Sequence, residues 1–141
     1  MRRPKLLACA LAALCFAGPA IAQNPGPASR QLVLQGAFTE TLERAAAGGK
    51  ASTAALFDQG LAAFALKDFE RAAGLFAQVA QSDGDPELLI RAAVAASLSL
   101  SRMGDRAGTC EYTGIVKPLV RGMPLLWRGW VDEIRRVNSC G

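Results

Sequence analysis

Two helical patterns in the middle of the chain are joined by only two residues, Lys67 and Asp68. Helices connected by so short a turn run antiparallel and pack side by side, so their backbones cross at close range. A bulky side chain at the crossing would push the backbones apart, because protein interiors leave little free volume. Gly60, before the turn, and Ala72, after it, are the small residues that we expect to meet there. The joint therefore predicts a close-packed helical pair over residues 53–81.

Aromatic residues are placed to close the same joint. Phe76 lies one helical turn beyond Ala72 and can cover the crossing. Phe69 opens the second helix of the pair, and we expect it to pack back toward Phe64 near the end of the first. The predicted packing set of the pair is thus Gly60, Phe64, Phe69, Ala72 and Phe76.

The rest of the chain after its first 30 residues is also patterned for helices. Apolar residues recur with helical periodicity, and no alternating stretch is long enough to predict a strand. Gly48 and Gly49 mark the end of a first helix, and Pro118, Gly122 and Pro124 interrupt the chain near its C-terminus. The predicted fold class is all-α, in antiparallel helix pairs, with helices over 31–47, 53–66, 69–81, 86–103, 106–117 and 124–138.

The first 22 residues have the three-part layout of a secretory signal peptide. The basic stretch MRRPK precedes the apolar run LLACALAALCFAG, and an A-x-A arrangement ends at Ala22 before Gln23. The apolar run is too short to span a bilayer as a lasting anchor, although a retained N-terminal anchor is the alternative. We predict cleavage between Ala22 and Gln23, with no integral membrane anchor afterwards. A flexible Pro/Gly-rich leader over 23–30 and a single domain over 31–141 would then lie in the periplasm or be secreted.

The charge of the chain gives no support to a nucleic-acid partner. The formal charge is +4, but three basic residues belong to the targeting segment, so residues 23–141 carry about +1. Binding to nucleic acid needs a concentrated basic surface. A mild excess remains over 102–141, where seven basic residues stand against four acidic ones. We expect that surface to be solvated rather than devoted to phosphate.

After removal of residues 1–22, Cys110 and Cys140 are the remaining cysteines. An even pair in an exported chain predicts a disulfide, which would staple the last helix to the one before it. Two free or functional thiols are the alternative. The wide spacing excludes a C-x-x-C redox motif.

Histidine is absent from the whole sequence. Ser–His–Asp and Cys–His nucleophilic sites and imidazole metal sites are therefore excluded. The carboxylate pairs Glu40 with Glu43, and Asp83 with Asp85, are expected on a polar helix face and in a turn. We predict no enzyme activity, no cofactor and no metal site.

The segment WRGW, residues 127–130, permits two interpretations. Trp127 and Trp130 lie three residues apart on a stripe that continues to Ile134 and Val137, which favours core packing of a terminal helix. The functional alternative is a stacking platform for a ligand, or an anchor on an anionic membrane surface.

The joint at Lys67–Asp68 resembles the tetratricopeptide repeat, a helix–turn–helix unit of about 34 residues. Gly60, Ala72 and Phe76 keep the spacing of that family's motif, and KDFERA (67–72) is similar to its turn. Leu56, Gln59 and Ala63 depart from the family's large residues, and its closing proline stands two residues late, at Pro86. A weaker second copy follows at a period of 37, with Ser97 and Thr109 as its small residues.

The resemblance implies a short α-solenoid. Its repeats would cover 53–86 and 87–120, capped by helices 31–47 and 124–138. Such stacks bind through a concave surface lined by the first helix of each pair. The candidates for contact with a partner are the polar residues expected to be exposed there: Asp58, Gln59, Lys67, Arg91, Ser97, Ser101 and Arg102.

The function that follows is an exported interaction module that binds a protein or peptide of the cell envelope, as an accessory to an envelope or secretion assembly. Two alternatives stay open: a small helical bundle that carries an apolar ligand, and a purely structural envelope protein. An internal cavity beside AAVAAS (92–97) would favour the carrier. A groove open to solvent along helices 53–66 and 87–103 would favour the module.

Overall fold

The computed structural model describes residues 25–141, and that part of the chain forms helices without any strand. The all-α prediction is therefore confirmed. The helices are α1 (Pro25–Leu34), α2 (Phe38–Ala47), α3 (Thr53–Ala65), α4 (Phe69–Ala80), α5 (Pro86–Met103), α6 (Arg106–Leu119) and α7 (Leu125–Val137), with a 3₁₀ turn at Val120–Gly122.

The helices pack in two layers. Each helix packs on the next one along the chain, and in addition α1 contacts α3, α3 contacts α5, and α5 contacts α7. Within the described residues, no comparable contact joins α2 to α4 or α4 to α6. The odd-numbered helices therefore form one layer, and the even-numbered helices lie behind it.

One turn geometry recurs at the end of every odd-numbered helix. After α3, Lys67 has a φ of +62°, and the N–H of Asp68 donates to the carbonyl of Ala63 at 2.9 Å. After α5, Gly104 has a φ of +78°, and the N–H of Asp105 donates to Leu100 at 3.0 Å. This left-handed C-terminal motif satisfies carbonyls that would otherwise lack partners. Gly36 and Ser139 occupy the same place after α1 and α7.

The following helix starts at once because an aspartate caps it. The carboxylates of Asp68 and Asp105 accept hydrogen bonds from the backbone N–H of Arg71 at 3.2 Å and of Gly108 at 2.9 Å. Each stabilises its helix start by roughly 1 kcal/mol. The left-handed residue and the cap together explain how two or three residues reverse the chain.

The crossing of α3 and α4 is closed by an aromatic ring. A Cβ built on Gly60 would lie 2.6 Å from Cε1 of Phe76, whose side chain is 1 % exposed. The ring itself, rather than Ala72, is thus the nearest neighbour of Gly60. Ala72 is fully buried in the same cluster. The expected contact of Phe69 with Phe64 is present, with ring centroids 5.1 Å apart.

The N-terminal prediction needs two corrections. The single helix expected over 31–47 is a hairpin of α1 and α2, because Gly36 turns left-handed at a φ of +75°. The expected mobile leader is helical from Pro25, and prolines in a first helical turn remove only N–H groups that have no intrahelical partner. Residues 23 and 24 and the predicted signal peptide with its cleavage site at Ala22 and Gln23 lie outside the described residues.

Pro118 does not end α6, which continues to Leu119. A proline this close to the end of a helix removes one hydrogen bond. Val116 and Val120, each 1 % exposed, hold the segment against the core on either side of it. The predicted break is therefore replaced by a tightening into the 3₁₀ turn.

The C-terminal helix is fixed by a small core and a covalent bond. Val131 and Ile134 of α7 pack with Val94 of α5 and Val116 of α6. Cys110 in α6 and Cys140 after α7 form a disulfide with Cα atoms 5.3 Å apart, which confirms that prediction.

Replacing Gly60 by Ala should destabilise the protein. The overpacking against Phe76 costs about 1–3 kcal/mol, and higher helix propensity recovers only about 1 kcal/mol. Gly74→Ala is the matched control, since Gly74 lies on the exposed face of α4. A Cβ at that position would meet nothing within 4 Å. We expect this control to gain about 0.5–1 kcal/mol. Urea unfolding measures both, and equal stability of the two variants would contradict the crossing described here.

Replacing both Cys110 and Cys140 by Ser should lower the free energy of unfolding by about 3–4 kcal/mol, because the bond closes a loop of some thirty residues. Hydrogen exchange should quicken first in α7. Reductant should bring the parent chain to the stability of the variant and leave the variant unchanged. If reductant left the free energy of unfolding of the parent chain unchanged, that result would argue against the disulfide.

Candidate functional site

An apolar groove, which we call the aromatic groove, opens between α3, α5 and α7 in the odd-numbered layer. Its volume is about 190 Å³. The side chains repeat at helical spacing along each wall, so that one stripe of every helix is presented to the same space. They are Phe57, Leu61 and Phe64 of α3, Arg91, Val94, Ala95 and Leu98 of α5, and Trp127 and Trp130 of α7, with Phe76 behind them.

Both tryptophans of the chain stand in this groove. Their ring centroids are 5.2 Å apart in an edge-to-face arrangement, a preferred geometry for aromatic pairs. Trp127 is half-buried against α5, while Trp130 is 47 % exposed. The core packing expected for Trp130 is wrong, and so is that for Val137, which is 63 % exposed. The apolar stripe of α7 is wider than its buried part.

The physical reason lies in the direction of the core. Val131 and Ile134 point into it, and Trp130 is turned by about 100° from Val131 because helical residues are spaced 3.6 to a turn. An apolar residue at that angle borders the core without entering it. In this protein it forms the wall of the groove.

Arg91 is the charged side chain at the rim of the groove. Its guanidinium lies 5.6 Å from the ring centroid of Trp127 and forms an ion pair with Glu87 one turn earlier on α5. A cation over an indole ring at this distance is attracted to the face of the ring. Arg91 is thus engaged with Trp127, and Trp130 is the exposed ring of the pair.

Two of the expected partner contacts are not on the surface. Asp58 is 2 % exposed and Gln59 is 8 % exposed, so the prediction that they face a partner is wrong. Asp58 accepts hydrogen bonds from the hydroxyl of Ser29 at 3.1 Å and from Nε of Arg30 at 2.8 Å. Asp58 is buried because α1 covers this side of α3. The sequence predicts a first helix only from residue 31, whereas α1 begins at Pro25.

Of the other candidates, only Arg91 lines the groove. Ser97 is fully buried and donates to the carbonyl of Val94 at 2.7 Å, which corrects its expected exposure. The hydroxyl of Ser101 accepts from Nδ2 of Asn138 at 2.8 Å. Lys67 and Arg102 are exposed near the C-terminal ends of α3 and α5. Sequence reasoning instead missed Phe57, Leu61 and Leu98, because apolar residues on a helical stripe are ordinarily core.

One carboxylate of each pair named in the sequence analysis has a structural role. Glu40 accepts from Arg44 at 2.7 Å, and Asp85 caps α5 by accepting from the N–H of Leu88 at 3.2 Å. A hydrogen bond from Arg136 lowers the pKa of Glu133, as expected for an exposed ion pair. Between residues 25 and 141, no three His, Cys, Asp or Glu side chains gather as a metal site would require. No helix in that span is long and apolar enough to cross a bilayer.

A second apolar groove lies on the other side of α5, toward α6. Its volume is about 450 Å³, and Leu89, Ile90, Tyr112 and Ile115 are among its lining residues. Ile115 is 60 % exposed, so the groove is open to water rather than an enclosed cavity. The alanine-rich part of α5 is instead packed, with Ala92 and Ala96 almost completely buried.

The ion pair between Arg30 and Asp58 yields a stability prediction. Arg30→Gln leaves a buried carboxylate with a weaker partner and should lower the free energy of unfolding by about 1–3 kcal/mol. Arg44→Gln is the matched control, since it removes an exposed pair one turn apart on α2. That change should cost about 0.5 kcal/mol or less. Thermal or urea unfolding distinguishes the two variants. Equal losses of unfolding free energy would mean that α1 does not bury the Asp58 carboxylate.

Known proteins supply no identity for this arrangement. Comparison with protein-family models, with curated proteins and with solved structures found no match. Among the described residues, the aromatic groove presents an exposed ring, Trp130, in an apolar wall.

Proposed function

We propose that the chain is exported and acts in the cell envelope as a helical interaction module similar to tetratricopeptide-repeat proteins, which binds an apolar segment of a partner protein in the aromatic groove. The observation that carries this proposal is the position of the groove. It lies in the layer of α3 and α5, the first helices of two successive pairs, and of the terminal helix α7. Binding by the first helices of the pairs is what the resemblance implies.

The recurring turn supports a repeat architecture. Lys67 and Gly104 occupy equivalent places after α3 and α5, 37 residues apart in the sequence. That separation equals the period of the weak sequence repeat. The turn after α1 at Gly36 adds a third hairpin, so the proposed stack consists of three helix pairs followed by α7. Contacts between successive odd-numbered helices are those expected when such pairs stack.

Export is supported by two independent features. The pattern of residues 1–22 is that of a secretory signal with cleavage between Ala22 and Gln23. The bond between Cys110 and Cys140 is of a kind that persists in oxidising compartments such as the periplasm and is rare in the cytosol.

The chemistry of the groove supports an apolar partner segment. Its walls are aliphatic and aromatic, with Arg91 already engaged by Trp127 and Glu87. A charged segment would lose its hydration there without gaining a partner. We therefore propose a short segment with one large apolar side chain that stacks on Trp130. Exposed tryptophan is among the residues that dominate binding energy at protein interfaces.

An open groove fits a module better than a carrier. A carrier must enclose its ligand, and pockets for small molecules typically bury most of the ligand surface. Both apolar grooves beside α5 are open to solvent, and Ala92 and Ala96 of the alanine-rich segment are buried.

Position-specific crosslinking can identify the partner. A photoreactive residue in place of Leu61 would report on the aromatic groove, and one in place of Ile115 on the groove behind α5. We expect one envelope protein to be captured from Leu61 and not from Ile115. Its crosslinked segment can then be titrated against the purified chain. Because both tryptophans line the groove, their fluorescence reports binding directly.

Trp130→Ala should weaken binding of the captured segment about thirtyfold, as for a hot-spot residue worth roughly 2 kcal/mol. Ile115→Ala is the control, since it removes a comparably exposed apolar residue from the opposite groove. Its affinity should stay within a factor of two or so of the parent. Capture from Ile115 alone, or equal affinities of the two variants, would reject the aromatic groove as the binding site.

A further inference from the structure

A cationic corner lies where α6 ends and α7 begins. Lys117, Arg121 and Arg128 come from α6, the 3₁₀ turn and α7, and together line a shallow pocket of about 140 Å³. Asp132 is the one carboxylate among the residues that line it, and its Oδ1 lies 3.7 Å from Nζ of Lys117. Three cations thus converge on one carboxylate, which leaves a local excess of positive charge.

Two exposed leucines begin the helix that carries Arg128. Leu125 is 74 % exposed and Leu126 is 60 % exposed, and they are the first two residues of α7. Leu125 and Arg128 are three residues apart, so they are neighbours on the surface of the helix. Leu126 is likewise a surface neighbour of Trp130, which lies four residues later in the helix. Adjacent exposed leucines are a costly feature in water and mark an interaction surface when they are grouped with other apolar residues.

We infer that this corner docks on the surface of an anionic phospholipid bilayer. Leu125 and Leu126 enter the boundary between headgroups and acyl chains, while Lys117, Arg121 and Arg128 contact lipid phosphates. Apolar side chains flanked by Lys or Arg at the end of an amphipathic helix are the combination that interfacial helices use. Each basic residue near an anionic leaflet adds an electrostatic attraction of its own.

The distribution of charge favours a bilayer over other anionic partners. Three cations share this corner with one carboxylate, whereas residues 23–141 together carry about +1. A nucleic-acid duplex rewards an extended basic surface and offers no apolar phase to protruding leucines. A bilayer offers phosphate and hydrocarbon within a few ångströms of each other.

The lipid surface and the aromatic groove use different side chains. Lys117, Arg121 and Leu125 do not line the groove, and Leu61 and Leu98 do not line the cationic corner. This inference stands whether or not a protein partner binds in the aromatic groove.

Vesicle flotation of residues 23–141 tests the inference. We expect the chain to float with vesicles of phosphatidylcholine mixed with phosphatidylglycerol and to stay behind with phosphatidylcholine alone. Replacing Lys117, Arg121 and Arg128 by Gln should lower the partition coefficient about fivefold for each cation removed. Replacing Leu125 and Leu126 by Ser should lower it about tenfold or more.

Matched variants keep the test specific. Lys67, Arg71 and Arg102 changed to Gln remove three exposed cations elsewhere, and Leu34 and Leu66 changed to Ser remove two exposed leucines. Both controls should float like the parent. Added salt should release the parent chain, a measurement that needs no variant. Failure to float, equal flotation with neutral vesicles, or equal losses in the controls would overturn the inference.

Discussion

The ring of Phe76 lies against the backbone of α3 at Gly60, where a Cβ would come within 2.6 Å of it. Because glycine leaves that space open, α3 and α4 approach closely and the ring fills the crossing. The same ring packs on Phe57 with centroids 5.4 Å apart, and so it supports the α3 wall of the aromatic groove from behind. The crossing of α3 and α4 and the proposed binding surface thus depend on one side chain.

The other wall depends on how α7 is held. Val131 and Ile134 bury one side of it, and the bond of Cys140 to Cys110 fixes its end. Arg135 adds a polar tie by donating to the hydroxyl of Thr113 at 3.2 Å. With that side committed to α5 and α6, the remaining apolar residues of α7 have no core to enter. Trp130 is left at the groove, and Leu125 is left at the cationic corner.

The errors at the N-terminus show where local patterns stop being informative. A Pro/Gly-rich stretch is an ordinary sign of irregular structure, yet the α1 segment is helical and its Arg30 meets the buried carboxylate of Asp58. On a single helix Asp58 looks like a surface residue, and only the helix packed above it reveals an ion pair. The misassigned contacts at Asp58 and Gln59 share this cause.

The sequence by itself determined the helical class and the short joints, because periodicity, caps and turn residues act over a few positions along the chain. It predicted the pairing of Cys110 with Cys140 but left free thiols open, and the structure decided between them. It also placed Gly60 at the crossing, although the neighbour expected there was Ala72 and the nearest side chain is Phe76. The tertiary structure alone decided which apolar residues stay outside the core. Trp130 and Leu125 carry the same local pattern as buried residues such as Ile134. Their exposure depends on where α3, α5 and α7 stand relative to one another, and that arrangement arises from contacts distant in sequence.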